Sequence, residues 1–104
     1  LMQSSGVGNC VNMLSLIENC RIPLVTLVTM RGEWGEFNPW QAPMGLATPD
    51  ILVRMNVQVQ RVDTAADAAL TLDAAISQSY DGMLASAVLL SQRLIGRKDF
   101  EADE

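Results

Sequence analysis

The chain has 104 residues and a net charge of −5, which predicts one small domain. Hydrophobic residues make up 49% and aromatic residues only 5%, so we expect a core built from aliphatic side chains. The absence of a basic stripe argues against a nucleic-acid partner, and the longest apolar stretch is far shorter than the roughly 20 residues of a membrane helix.

The first half of the chain predicts a strand end, a turn, a helix, a strand and a long loop. Leu1 to Gln3 are typical of the end of a strand, and the glycines within residues 4–8 indicate a turn. Apolar residues recur with the spacing of one helix face over residues 9–20. Residues 24–30 predict a buried strand, and residues 31–45, with both tryptophans, predict a loop.

Helix-start and helix-stop signals mark the second half. Thr48 and Pro49 have the character of an N-cap and a first helical residue, which predicts a short helix ending near residue 55. Thr64 and Asp67 form a possible capping box for a longer helix. Gly82 is the expected C-cap of that helix.

Two further strands complete the pattern. Residues 57–62 alternate between apolar and polar, and residues 83–90 are mostly apolar, whereas residues 91–96 are ambiguous. Strands that alternate with helices predict an α/β fold with a mostly parallel, doubly wound sheet. Residues 1–97 are therefore assigned to a single domain, and residues 98–104 to a charged tail.

The two cysteines, Cys10 and Cys20, occur without any histidine, so we expect neither a metal-ligand set nor a disulfide framework. We interpret both as reduced thiols in the core, which makes the cytoplasm the default location. Because Leu1 and Met2 look like the end of a strand, we also expect that a segment preceding Leu1 is missing or separate.

Ligands of open parallel sheets bind at the carboxyl ends of the strands, and residues 4–9 fall at one such end. Gly6 and Gly8 would let the backbone approach a ligand, and Asn9 can both donate and accept hydrogen bonds. A plain strand-to-helix turn explains the same residues equally well. Val11 stands where a dinucleotide-binding fingerprint requires its third glycine.

The loop that begins at Arg31 follows the next strand and should lie at the same edge of the sheet. Connections longer than about 12 residues are usually functional or disordered, and two tryptophans argue against disorder. We interpret the loop as part of a site or an interface. Arg31 could pair with an anionic substrate, but an internal ion pair with Glu33 or Glu36 explains it equally well.

Together these segments resemble the pyrimidine-binding (PYR) domain of thiamine-diphosphate enzymes. Residues 1–9 are similar to that family's strand and Gly-x-Gly turn, and the Ile-Pro-Leu-Val of residues 22–25 follows a helix as in the family. The loop, with Arg-Gly-Glu at 31–33 and Pro-Trp-Gln-Ala-Pro-Met-Gly at 39–45, most resembles sulfopyruvate and phosphonopyruvate decarboxylases. The first of these is a split enzyme whose α subunit is a lone PYR domain. Beyond residue 48 the resemblance rests on element order.

The resemblance implies a cofactor site between this domain and a second (PP) domain, which holds the diphosphate and Mg²⁺. Ser5, Gly6, Gly8 and Asn9 are implied to line the aminopyrimidine pocket. The family's catalytic glutamate lies upstream of Leu1, where this chain begins, so we assign no catalytic residue. No metal ligand is expected in this chain.

The loop after the second strand faces the substrate in the family, which implies substrate contacts for Arg31, Glu33, Trp34 and Gln41. We therefore expect the C-terminal part of a PYR-type domain or α subunit. It would belong to a thiamine-diphosphate-dependent carboxy-lyase that decarboxylates a small 2-oxoacid, in an oligomer with a PP-domain β subunit. We expect the chain to be inactive alone.

Two alternatives remain open at this point. A non-catalytic interaction or structural module would keep the PYR-like fold and an interface without the chemistry, and the missing glutamate favours it. A generic nucleotide-binding α/β domain would explain the glycines of residues 4–9 but nothing else.

Overall fold

The structure is a computed structural model that describes residues 1–96, so the predicted tail at residues 98–104 lies outside the described residues. Helices and strands alternate along the chain, as the sequence pattern predicts. The elements in chain order are β1 (Met2–Gln3), α1 (Ser4–Cys10), α2 (Met13–Cys20), β2 (Leu24–Thr29), α3 (Gln41–Arg54), β3 (Gln58–Val62), α4 (Ala65–Gly82), β4 (Ala85–Leu90) and α5 (Gln92–Ile95).

The four strands form one parallel sheet in the order β1-β2-β4-β3, which confirms the predicted α/β class. The register aligns the last residues of all four strands. Gln3 lies beside Thr29, Thr29 beside Leu90, and Leu90 beside Val62. The loops that leave these ends therefore start at the same level along one edge of the sheet.

The direction of each crossover decides which face of the sheet its helix covers. The chain moves from β1 to β2 and onward to β3, and then turns back to insert β4 between β2 and β3. Because parallel crossovers are right-handed, this reversal places α4 on the face opposite α1, α2 and α3. The sheet is thus covered on both sides, as in a doubly wound domain.

Alternate residues of the central strands supply the two cores. Val28 and Leu89 pack with α1 and α3 residues such as Val7 in the larger core. Val88, the neighbour of Leu89, packs against Ala75 of α4 in the smaller core. Side chains of successive strand residues point to opposite faces, so burial on both faces explains why β4 is almost continuously apolar.

The strand end predicted from Leu1 to Gln3 is confirmed for its last two residues and is wrong for Leu1. The pairing of β1 with β2 begins at Met2, which lies opposite Val28, so Leu1 stands outside the strand. The Leu1 residue is 87% exposed. The glutamate that the family resemblance implies upstream of Leu1 stays a prediction.

The turn predicted for residues 4–8 is wrong, because α1 begins at Ser4 directly after β1. Gln3 is extended and makes the bend, whereas Gly6 and Gly8 have ordinary helical backbones rather than positive φ angles. The single helix predicted for residues 9–20 is also wrong. It is split into α1 and α2 by a break at residues 11–12.

The start of the helix predicted at Thr48 is wrong as well, since α3 begins at Gln41 and contains Pro49 in its interior. Thr48 is fully buried, and its hydroxyl donates to the Met44 carbonyl oxygen at 2.6 Å instead of capping a helix. The predicted loop over residues 31–45 therefore ends before Gln41.

The ends of α4 differ from prediction in detail. Thr64 does precede the helix, but its hydroxyl donates to the Asp67 carboxylate at 3.0 Å, and no side-chain cap is formed. Gly82 is the last helical residue, and Met83 takes the left-handed conformation with φ 54°. The strands predicted at residues 57–62 and 83–90 are confirmed within two residues.

Two smaller predictions concern the thiols and the ambiguous segment. Cys10 is half-buried but Cys20 is exposed, so the interpretation of both as core residues is wrong for Cys20; both thiols are free. The ambiguous residues 91–96 contain the short helix α5.

Across residues 1–96, no helix has the length and apolar character that crossing a bilayer would require.

Candidate functional site

The carboxyl edge of the sheet brings the two predicted segments together. The Arg31 backbone N–H donates to Ser4 Oγ at 3.2 Å, which links the start of the loop at residues 31–40 to the start of α1. Ser4 is fully buried. Gly45 of α3 packs so closely on the Arg31 carbonyl that a side chain there would overlap it. The prediction that residues 4–9 and the loop beginning at Arg31 lie at the same edge of the sheet is therefore confirmed.

Glu36 is the centre of the hydrogen bonding within the loop. Its carboxylate accepts from Arg31 Nε at 2.7 Å and from Arg31 Nη2 at 2.6 Å. The backbone N–H groups of Gly32 and Asn38 each donate to it at 3.0 Å, and Gln92 Nε2 donates at 3.1 Å. One carboxylate therefore orders both ends of the loop.

The ion pair with Arg31 lowers the pKa of Glu36 from 4.5 to about 2. Burial opposes this change, and the N–H groups of Asn38 and Gly32 and the Gln92 amide support it. The carboxylate is therefore ionised at any pH near neutrality and does not act there as an acid or a base.

Arg31 is held in place by its partners. Its side chain is only 11% exposed, and its guanidinium lies 5.3 Å from the centroid of the Phe37 ring. Of the two explanations left open for Arg31, the internal ion pair with Glu36 is the one that the structure contains. The substrate contact of Arg31 stays a prediction.

Glu33, the other carboxylate of the loop, connects the loop to two neighbouring strands. Arg61 of β3 donates to it from Nη1 at 2.5 Å and from Nη2 at 3.0 Å, and this pairing raises the pKa of Arg61. The Gln92 backbone N–H, directly beyond β4, donates to Glu33 Oε1 at 3.0 Å. Glu33 is therefore engaged structurally, and a substrate contact through it stays a prediction.

Gln92 is the residue of this site that the sequence analysis missed. Its Oε1 accepts from the backbone N–H groups of Glu33 at 2.8 Å and Trp34 at 2.9 Å. The signal that could have found it was available, since Gln92 is a polar residue just past the carboxyl end of an apolar strand. The ambiguous pattern of residues 91–96 predicts no element there.

Trp34 and Gln41 differ in their surroundings. Trp34 is 46% exposed, and the Arg93 guanidinium lies 5.8 Å from the centroid of its ring. Gln41 begins α3, and its Oε1 is one of two side-chain polar atoms within residues 1–96 that are buried with no hydrogen-bond partner. Roles of Trp34 and Gln41 toward a substrate stay predictions.

The residues predicted to line a cofactor pocket lie on the first turns of α1. Ser5 and Gly6 are half-buried, and the Ser5 hydroxyl donates to Gln3 Oε1 at 3.4 Å. Gly8 and Asn9 are exposed. Ser5 and Gly6 thus follow the carboxyl end of β1 directly, whereas Gly8 and Asn9 lie one turn farther along the helix.

A small cavity of about 100 Å³ opens between the ends of the three strands β1, β2 and β4. Four of the residues that line it are polar or charged, namely Gln3, Thr29, Arg31 and Gln92. The others are Met30, Ile95 and Gly96. The cavity is thus the point where the first strand, the loop and the residues after β4 come together.

Comparison with known proteins links the chain to one group of decarboxylases, although no family model matches it. It is 41% identical over 91 residues to a sulfopyruvate decarboxylase subunit alpha of Methanothermobacter thermautotrophicus, a match that covers 86% of this chain and 55% of the relative. The chain is therefore similar in sequence to sulfopyruvate decarboxylase alpha subunits. It spans about half the length of this relative.

Two further relatives agree with this similarity over shorter stretches. A sulfopyruvate decarboxylase of Methanosarcina acetivorans is 45% identical over 53 residues, which cover 50% of this chain and 14% of the relative. A sulfopyruvate decarboxylase subunit alpha of Methanocaldococcus jannaschii is 44% identical over 46 residues, which cover 43% of this chain and 27% of the relative.

Proposed function

We propose that the chain is part of a thiamine-diphosphate-dependent decarboxylase acting on a 2-oxoacid that carries a second acidic group. Sulfopyruvate is the leading candidate substrate and phosphonopyruvate the second. The observation that carries this proposal is the 41% identity over 91 residues to a sulfopyruvate decarboxylase subunit alpha. The parallel sheet with helices on both faces is consistent with a partial PYR-type domain.

In this proposal, α1 forms one wall of the pocket for the aminopyrimidine ring. Ser5, Gly6, Gly8 and Asn9 are small or polar residues of this helix, and Gly8 and Asn9 are accessible. These residues are compatible with a flat heterocycle. When bound, the cofactor supplies a nucleophilic carbon and an electron sink for the loss of carbon dioxide.

Arg31 is the residue that we propose to contact the acidic group of the substrate. Its Nε and Nη2 atoms are engaged by Glu36, and Nη1 donates to no acceptor in the part of the chain that the structure describes. A guanidinium fixed in this way offers its remaining donors in a constant direction. Arg31 also lines the cavity at the carboxyl edge, which supports this role.

The relatives are named as alpha subunits, and we propose that this chain likewise acts with a second subunit. By the resemblance to PYR domains, that subunit is a PP domain that binds the diphosphate and Mg²⁺. A site of this kind forms only when the two chains meet, in a hetero-oligomer.

The test is calorimetry with thiamine diphosphate and Mg²⁺, on the chain alone and on its complex with a candidate PP-domain subunit. We expect weak or no binding alone and clear binding in the complex, together with carbon dioxide release from sulfopyruvate. A complex that forms without binding the cofactor would favour the non-catalytic module. A folded chain that neither forms the complex nor binds the cofactor would overturn the proposal.

A further inference from the structure

We propose that Gln92 is a positioning residue that fixes the substrate-facing loop, residues 31–40, onto the carboxyl end of β4. Its role toward a substrate rests on the proposed function, because that function makes the loop substrate-facing. The attachment itself rests only on the contacts described below. Gln92 acts through Glu33, Trp34 and Glu36, and needs no contact with substrate.

The Gln92 side chain is buried against the loop and makes three hydrogen bonds to it. It is 3% exposed, and its Oε1 accepts from the N–H groups of Glu33 and Trp34 at 2.8 and 2.9 Å. Its Nε2 donates to Glu36 Oε1 at 3.1 Å. Both ends of a single amide thus bind one loop, although the residues involved are separated by more than 50 positions in sequence.

The main chain of Gln92 adds a second attachment. Its N–H is in the first turn of α5, where helical N–H groups lack partners within the helix. It donates to Glu33 Oε1 at 3.0 Å. Glu33 is therefore bound to Gln92 through both its backbone and its side chain, which leaves this part of the loop a single orientation.

The chemistry of the contact requires a primary amide. Two N–H groups need an acceptor, while the Glu36 carboxylate needs a donor on the other side of the same group. A glutamine provides both, whereas an ionised glutamate accepts only and a leucine does neither. Loss of the amide would leave two partly buried backbone donors without their acceptor.

Gln92 reaches Arg31 through Glu36. The Glu36 carboxylate fixes the Arg31 guanidinium at two points, and the Gln92 amide in turn fixes Glu36. Release of the loop from Gln92 would leave the ion pair intact but free to shift relative to the sheet. The direction in which Arg31 presents its remaining donors would then vary.

The first measurement is amide hydrogen exchange of Glu33 and Trp34 in the assembled complex, and separately in the chain. In Gln92→Leu we expect the exchange of both amides to accelerate at least about tenfold, because each loses its acceptor. The control Gln78→Leu changes an exposed glutamine of α4 and should leave both rates unchanged. Unchanged rates in a folded Gln92→Leu variant would overturn the proposal.

The Gln92→Glu variant gives a pH signature that a merely structural residue would not. Its new carboxyl would face Glu33 and Glu36, which raise its pKa, while Arg31 keeps Glu36 ionised. Below its pKa the protonated group can again donate to Glu36. Above its pKa the carboxylate can still accept from the two N–H groups, but it repels the Glu33 and Glu36 carboxylates and so displaces the loop from β4. Protection of the Trp34 amide, corrected for intrinsic exchange, should therefore return as the pH falls and be lost as it rises. Protection that is absent at every pH would contradict the proposal.

Steady-state kinetics of the complex separates this inference from the proposed function. Gln92→Leu should raise KM for sulfopyruvate more than it lowers kcat, and Gln92→Glu should recover KM at lower pH. A wild-type complex that decarboxylates no acidic 2-oxoacid would overturn the proposed function. The exchange measurement would still decide whether Gln92 holds the loop.

Discussion

Arg31 and Glu36 form a two-point ion pair, with Nε 2.7 Å from Oε1 and Nη2 2.6 Å from Oε2. The two residues are five positions apart, and the side chains are 11% and 9% exposed. The pair therefore closes the loop at residues 31–40 on itself. The ion pair restricts the conformations of this loop, which contains Gly32 and Gly35, and holds it at the edge of the sheet.

Substituting Glu36→Gln should destabilise the fold, because it leaves the Arg31 guanidinium largely buried without its anion. We expect a loss of about 2 kcal/mol in the free energy of unfolding, measured by urea titration. The control Asp73→Asn removes the same charge from the exposed face of α4 and should change stability little. Equal effects of the two substitutions would show that the ion pair contributes nothing.

The depressed pKa of Glu36 predicts a specific acid sensitivity. Because the folded-state pKa of about 2 lies below the ordinary 4.5, the stabilisation is complete above pH 4.5 and is lost as the pH falls toward 2. Urea titrations at a series of pH values test this. The slope of unfolding free energy between these limits should be smaller in Glu36→Gln than in the wild type.

Gly45 should tolerate no side chain, because a Cβ there would overlap the carbonyl group of Arg31. We expect Gly45→Ala to cost about 3 kcal/mol or to prevent folding. Gly8→Ala is the matched control, since a Cβ at Gly8 would meet only the flexible end of the Met44 side chain. That variant should be neutral or stabilised by up to about 1 kcal/mol. A folded Gly45→Ala variant of wild-type stability would contradict this packing.

Met83 terminates α4 with a positive φ of 54°, a conformation that costs a side-chain-bearing residue free energy. Met83→Gly should therefore raise the free energy of unfolding by about 0.5–1 kcal/mol. Ser77→Gly, within the exposed interior of the same helix, should lower it by a similar amount. Thermal or urea unfolding distinguishes the two, and a loss of stability in both would refute the argument from backbone geometry.

The proposed substrate contact of Arg31 predicts a change in selectivity. Arg31→Lys keeps the charge but loses the planar two-point geometry, so KM for sulfopyruvate should rise about tenfold while KM for pyruvate changes little. Arg54→Lys, exposed at the end of α3, should alter neither value. Unchanged KM and kcat in an Arg31→Ala variant of the complex would remove the support for this contact.

The strands and the place of the site could be predicted because their signals are direct. Residues 24–30 and 83–90 are mostly apolar runs, and burial on both faces of a parallel sheet produces such runs. Since parallel strands end at one edge, the segments after β1 and β2 had to be neighbours, and the hydrogen bond from Arg31 to Ser4 confirms it.

The helix boundaries were not predictable because tertiary contacts outweigh local signals there. Thr48 and Pro49 have the pattern of a helix start, yet α3 extends upstream and packs Gly45 onto the Arg31 backbone. Gly6 and Gly8 indicated a turn, but the bend falls at Gln3. The contact between Gly45 and Arg31 joins residues 14 positions apart, which a short sequence window does not contain.

The hydrogen bonds between Gln92 and the loop could not be predicted either, because they join residues more than 50 positions apart in sequence. A glutamine in an ambiguous segment carries no signal of what it binds, and its partners Glu33 and Glu36 lie in another connection. What the sequence could have indicated is its position beyond the carboxyl end of an apolar strand. The sequence likewise could not show whether Arg31 pairs with a carboxylate of the loop, whereas the structure shows its ion pair with Glu36.

The carboxyl edge of the sheet is an electrically balanced region of this acidic chain. Within residues 1–96, opposite charges are equal in number there, while the full chain carries −5. The groups are Arg31, Arg61 and Arg93 on one side and Glu33, Glu36 and Asp63 on the other. A multiply charged anion that approaches from this direction meets little of the repulsion that the rest of the surface exerts, so diffusion of such a molecule is biased toward the end of the sheet.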